Sequence, residues 1–241
     1  MQITPSFRSS CDSEPSNMVR RLAGLSGVAG ALLFFVGDML FYGHFGSGEA
    51  FPELMRATVM SESPNRLVAG GLVGPVAACL CIVGFWHVYL NTSPSGLFVR
   101  RLIFALFAAL MVYGSAVHTL WTAKGFTMKY CYDPSASCSE LAGAIKSYWE
   151  LVYTLGAVPG YIAALLLLAL VILGKTYYPR WTALLNPALL IGILTPVSVR
   201  VSSPLGAILV GGLANLSITI FFIGSLVTTW TIPDRKTSRS S

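Results

Sequence analysis

The sequence predicts an all-α, polytopic membrane protein: a bundle of six transmembrane helices with a short interfacial helix between the first two. Two observations carry that expectation. Apolar residues make up 54% of the 241-residue chain and charged residues only 11%, less than half the roughly 25% of a soluble domain. The apolar residues also gather into six stretches, each close to the roughly 20 residues that a helix needs to cross the hydrocarbon layer.

Residues 1–18 are polar and rich in Ser and Pro, the composition of a disordered tail. This tail is too long and hydrophilic to be a signal-peptide n-region, so the segment after it is expected to be retained. The spans are read at about 22–46, 67–90, 99–122, 147–173, 181–198 and 205–230. Together they form one domain, 19–231, followed by a basic tail, 232–241. The fifth span is the shortest and contains Pro187 and Pro196, which predicts a kink or tilt. Between the first two spans, Phe51, Leu54, Met55, Val59 and Met60 alternate with charges, as in a helix lying in the membrane interface.

Six spans place both termini on one side. Of the 16 Lys and Arg, Arg8, Arg20, Arg21, Arg100, Arg101, Lys175, Arg180, Arg235, Lys236 and Arg239 fall on that side. Arg56, Arg66, Lys124, Lys129, Lys146 and Arg200 fall on the other. The excess makes both termini cytoplasmic, in the plasma membrane or endoplasmic reticulum of a eukaryote or the inner membrane of a bacterium. The net charge of +6 sits in short clusters beside apolar spans. It therefore suits lipid head groups rather than nucleic acid. Membrane lipids are the expected partners, while the oligomeric state is not read.

Of the five cysteines, Cys11 lies in the tail and Cys79 and Cys81 lie in an apolar span. Cys131 and Cys138 share one polar loop and are a disulfide candidate if that loop faces an oxidising space. Glycines Gly24, Gly27, Gly30, Gly70, Gly71, Gly74, Gly206, Gly211 and Gly212 mark close helix approaches, expected within one bundle rather than between copies.

Function points to Asp38, at the end of a long apolar run in the first span. An acid in hydrocarbon is costly unless it is paired or faces a wet cavity, so it marks a candidate site. Tyr42 follows one turn later on the same face. Arg66 opens the second span, His118 and Trp121 lie near the same end of the third, and Glu150 with Tyr153 begins the fourth. Counting residues puts Asp38, Arg66, His118 and Glu150 in one layer about 10 Å deep.

Asp38, His118 and Glu150 are read as acid–base catalytic candidates. Tyr42, Arg66, Tyr113, Trp121, Tyr153 and Asn215 are read as substrate-binding candidates. An acid and an imidazole among aromatic rings suit isomerisation, protonation-started cyclisation or hydrolysis of an apolar lipid or isoprenoid. Bland alternatives stand beside each residue: a structural Asp38–Arg66 ion pair, a solvated Glu150, a packed His118, and an Asn215 that only bonds helices. Asp38, His118 and Glu150 are also enough donors for a metal, but no H-E-x-x-H or similar spacing supports one, and neither metal nor cofactor is expected. Two other classes remain open: a non-enzymatic carrier or receptor for a small amphiphile or ion, and a structural membrane subunit.

The run Gly37-Asp38-Met39-Leu40-Phe41-Tyr42-Gly43, then Arg66, then a glycine-rich second span ending Gly84-Phe85-Trp86-His87-Val88-Tyr89, resembles an uncharacterised family of small multi-span membrane proteins. The resemblance covers roughly the first ninety residues and supplies no activity. In size and in its intramembrane acid the chain is also similar to small fungal and bacterial integral-membrane terpene cyclases. It does not carry their motifs, so that likeness implies only a class of chemistry.

Overall fold

In a computed structural model of the chain, residues 16–131 and 136–230 are described. These residues form seven α-helices and two short 3-10 helices, with no strand among them. The helices are α1 (Asn17–Tyr42), α2 (Phe51–Ser61), α3 (Pro64–Asn91), α4 (Leu97–Tyr130), α5 (Ala136–Ile172), α6 (Pro187–Arg200) and α7 (Gly206–Thr229). Five of them, α1, α3, α4, α5 and α7, are long and apolar enough to cross a membrane. The chain is thus a multi-pass, all-α protein of membrane type. The readings of a tail at 1–18, of Cys11 and of a basic tail at 232–241 lie outside the described residues. Residues 16–18 are the exception: Ser16 caps α1 by accepting from the Val19 N–H, and α1 begins at Asn17.

Helices α1, α3, α4 and α5 pack side by side in chain order, and α7 returns to lie against α1. The backbones of α1 and α3 approach closely at Gly27, where a Cβ would sit 2.9 Å from the Gly84 Cα, and at Gly30, where one would sit 2.8 Å from the Ala77 carbonyl oxygen. Gly70 gives up its side-chain space to the Phe41 ring in the same way. The glycine pattern therefore serves packing within the bundle, because only small residues let helix backbones approach in the absence of a hydrophobic drive between apolar faces.

The fifth predicted span is divided. Arg180–Leu185 is a 3-10 helix, and α6 begins only at Pro187 with 14 residues, or about 21 Å. The break comes at Asn186. Its side-chain carbonyl accepts from the Ala188 N–H at 3.1 Å, and its amide donates to the Ala164 carbonyl on α5 at 2.8 Å. Pro187 lacks the N–H that would have continued a helix through this point.

The α4–α5 hairpin is longer than predicted. Helix α4 has 34 residues and α5 has 37, about 50 Å or more against a hydrocarbon layer of about 30 Å. The Cys131–Cys138 disulfide closes its tip. At the same end of the bundle, α2 turns Phe51, Leu54, Met55, Thr58 and Val59 inward and Glu53 and Arg56 outward. Lys129 of α4 ties down the end of α2 by donating to the Met60 and Glu62 carbonyls at 2.6 and 2.7 Å.

Candidate functional site

A cavity of about 490 Å³ lies inside the bundle, lined by side chains from α1, α2, α4, α5, α6 and α7 with Phe85 of α3. Along α4 its lining runs from Phe107 to Lys124, about 25 Å of helix. Most of the lining is apolar, and Phe51 and Met55 of α2 bound one end. Helices α5 and α6 scarcely touch one another. The half-exposed lining residues Tyr153 and Tyr161 on α5 and the exposed Thr195 on α6 face this seam. The cavity thus opens sideways, toward the face a bilayer would cover.

One polar cluster interrupts the apolar lining. Asp38 is 7% exposed and His118 5% exposed. One Asp38 carboxylate oxygen, Oδ2, accepts from the Asn215 amide at 2.6 Å, and Oδ1 lies 3.6 Å from His118 Nε2. The Tyr42 hydroxyl also faces the Asp38 carboxyl and donates to the Gly211 carbonyl at 3.2 Å. Three helices therefore converge on one acid: α1 provides Asp38 and Tyr42, α4 provides His118 and α7 provides Asn215.

Local packing explains how the imidazole gets there. A Cβ on Gly37 would lie 3.0 Å from His118 Cε1, and a Cβ on Gly74 would run into the His118 Cβ. The two glycines form the slot that His118 occupies. Phe34 and Phe41 border the ring, with centroids at 4.8 and 5.6 Å. Its Nδ1 points toward the Gly70 carbonyl without closing a hydrogen bond. The other nitrogen, Nε2, faces Asp38 and the cavity.

Aromatic rings extend from this cluster toward the α2 end. Trp121 stacks on Phe41 at 5.3 Å and meets Tyr42 at 5.5 Å. Trp149 stands edge-on to Trp121 at 6.4 Å and stacks on Tyr153 at 5.4 Å. Between the two indoles sits the Lys124 ammonium, 4.7 Å from the Trp121 ring centre and 3.8 Å from that of Trp149.

Of the residues singled out in the sequence, the structure brings Asp38, Tyr42, Tyr113, His118, Trp121, Tyr153 and Asn215 to this cavity. It does not bring Arg66 or Glu150. The Arg66 guanidinium donates to the Met39 and Gly43 carbonyls at 2.9 and 3.2 Å and pairs with Glu62. It caps the open end of α1, where the last carbonyls of any helix need donors, and the alternative reading of a structural Asp38–Arg66 ion pair is not met either. Glu150 is exposed and lies 3.8 Å from Lys146. The donors Asp38, His118 and Glu150 therefore do not meet as a metal-binding trio.

Lys124 and Trp149 were not singled out, although Lys124 lies three residues after Trp121 and so shares its helix face. Gly156 and Gly160 were also passed over, although they repeat the G-x-x-x-G spacing. They let Tyr113 and Leu110 of α4 press against α5 beside the cavity.

Residues 16–231 match a family of unknown function (DUF6796). The chain belongs to that family. No curated protein and no solved structure shows significant similarity to it.

Proposed function

We propose that this DUF6796 protein is an intramembrane enzyme that performs acid–base chemistry on an apolar lipid or isoprenoid drawn sideways from the bilayer. The observation that carries the reading is the placement of the Asp38–His118 pair in the wall of a long apolar cavity that opens between α5 and α6. A concave, largely apolar pocket with a few convergent polar groups is the usual form of a small-molecule site. Asp38 and His118 are positioned to exchange a proton with a group bound beside them. Asn215 fixes the carboxyl, and the rings of Tyr42, Tyr113 and Trp121 that line the cavity suit an electron-poor transition state. Isomerisation, cyclisation and hydrolysis all use such a set.

The same reading places six crossings in the membrane, the fifth made by α6 with the 3-10 helix before it. Helix α2 then lies in the outer interface over the cavity, and both termini lie in the cytoplasm. The Cys131–Cys138 disulfide supports an oxidising space at the α2 end.

The test is turnover of a lipid extract from the native host by the purified protein in nanodiscs, followed by mass spectrometry. Asp38→Asn and His118→Gln are expected to lower product formation at least about a hundredfold, the usual contribution of a positioned acid or base, while still retaining bound lipid. Folded Asp38→Asn protein with full turnover would remove the enzyme reading. The sideways opening alone also suits a carrier or receptor for an amphiphile. That reading predicts retained lipid and no product from the unsubstituted protein. A variant that unfolds instead returns Asp38 to a structural role, tested by whether Asp38→Leu with Asn215→Leu restores stability.

A further inference from the structure

We infer that the ligand carries an anionic head group, a carboxylate or a phosphate monoester, which docks on Lys124 at the α2 end of the cavity. The inference rests on the cavity reading above and adds the class of ligand and its direction. Lys124 lines the cavity together with Trp121 and Trp149. Its ammonium makes no hydrogen bond or ion pair within 4 Å among the described residues, and both indole faces hold it in place. An ammonium with no ion-pair partner at one end of an apolar cavity is complementary to an anion.

The other charges nearby do not cancel this. Glu150 and Lys146 act on Lys124 with opposite sign, Glu150 the more strongly, but Glu150 is exposed and itself lies 3.8 Å from Lys146, and neither forms an ion pair with Lys124 among the described residues. A cationic head would meet Lys124 first and be repelled. An uncharged head would leave the Lys124 ammonium without a counter-charge.

Direction follows from spacing. His118 precedes Lys124 by six residues on α4, about 9 Å along the helix. With the head on Lys124, the chain runs inward past Trp121, and the atom that meets Asp38 and His118 lies several carbons from the head. The rest of the hydrocarbon extends toward Phe107 and Ala164. The ligand is therefore handled along its chain rather than at its head group.

The test uses the full chain in nanodiscs of zwitterionic lipid, carrying Asp38→Asn so that binding is read without chemistry. Quenching of tryptophan fluorescence by a bromine-labelled fatty acid reports binding. Palmitate, hexadecyl phosphate, hexadecanol and hexadecylamine then compete for the site. At least one of the two anions is expected to compete about tenfold better than hexadecanol, with the amine weakest. Adding Lys124→Gln should bring that anion down to the level of the alcohol and leave the alcohol unchanged. Lys124→Arg should preserve the preference, as should Lys146→Gln. Which anion binds better separates a fatty acid from a phosphorylated lipid. Equal competition by alcohol and anions, a preference for the amine, or equal weakening of alcohol and anion by Lys124→Gln would overturn the inference while leaving the cavity a lipid site. If the fatty acid does not quench and no probe competes, the cavity reading itself falls, and this inference with it.

Discussion

Asp38 is tolerable in its apolar helix because Asn215 donates to it, Tyr42 and His118 face it, and the cavity borders it. Burial of a carboxyl without such partners costs several kcal/mol. His118 depends in turn on two missing side chains. Gly74→Ala places a methyl group where the His118 Cβ stands, and overpacking of this kind costs about 1–3 kcal/mol. The expected outcome is a lower melting temperature together with a loss of turnover, although Asp38 is untouched. Arg66 behaves differently. Arg66→Ala strips donors from the Met39 and Gly43 carbonyls and leaves Glu62 unpaired, a loss of about 1–3 kcal/mol. Thermal denaturation should show that loss, while ligand affinity per folded molecule stays the same. A large affinity change in Arg66→Ala would place this arginine in the site after all.

The helices end where the sequence supplies a physical reason. Helix α5 stops at Gly174, whose φ of 68° lets the Gly174 and Lys175 N–H groups turn back to the Val171 and Leu170 carbonyls. That is the six-to-one closure that glycine makes easy. Gly174→Ala should cost about 1–2 kcal/mol, because an L residue is strained in that conformation, and a melting curve measures it. Asn186 ends one short helix, starts α6 and binds α5. Asn186→Ala removes both a helix cap and a buried bond, so about 1–2 kcal/mol should be lost. Because α6 forms one side of the cavity opening, the same variant should change ligand affinity, whereas Gly174→Ala should not. Equal affinity in the two variants would mean that α6 does not control access.

For the whole molecule, the proposed topology is open to a labelling experiment. After mild reduction of intact cells, an impermeant thiol reagent should reach Cys131 and Cys138. A cysteine replacing Ser95, between α3 and α4, should react only once the membrane is opened. The reverse pattern would invert the protein. Loss of the disulfide should also lower stability by about 2 kcal/mol, as expected for so short a closed loop. The membrane class, the strongly apolar long helices and the suspect acid at Asp38 were all determined by the sequence alone. Length, hydropathy and the cost of a buried charge are local properties, visible one residue or one window at a time. The partner of Asp38 was not visible in that way. Residue counting put Arg66 and Glu150 in the same layer as His118, but depth says nothing about which way a side chain points around its helix. A membrane helix is apolar on its lipid face and on its core face alike, so periodicity does not reveal the inward side. Only packing decided that Asn215 and His118 turn toward Asp38, that Arg66 caps α1, and that Lys124 and Trp149 share the cavity. The glycines at 37, 74, 156 and 160 set that packing, because close approach of two backbones fixes the rotation of both helices.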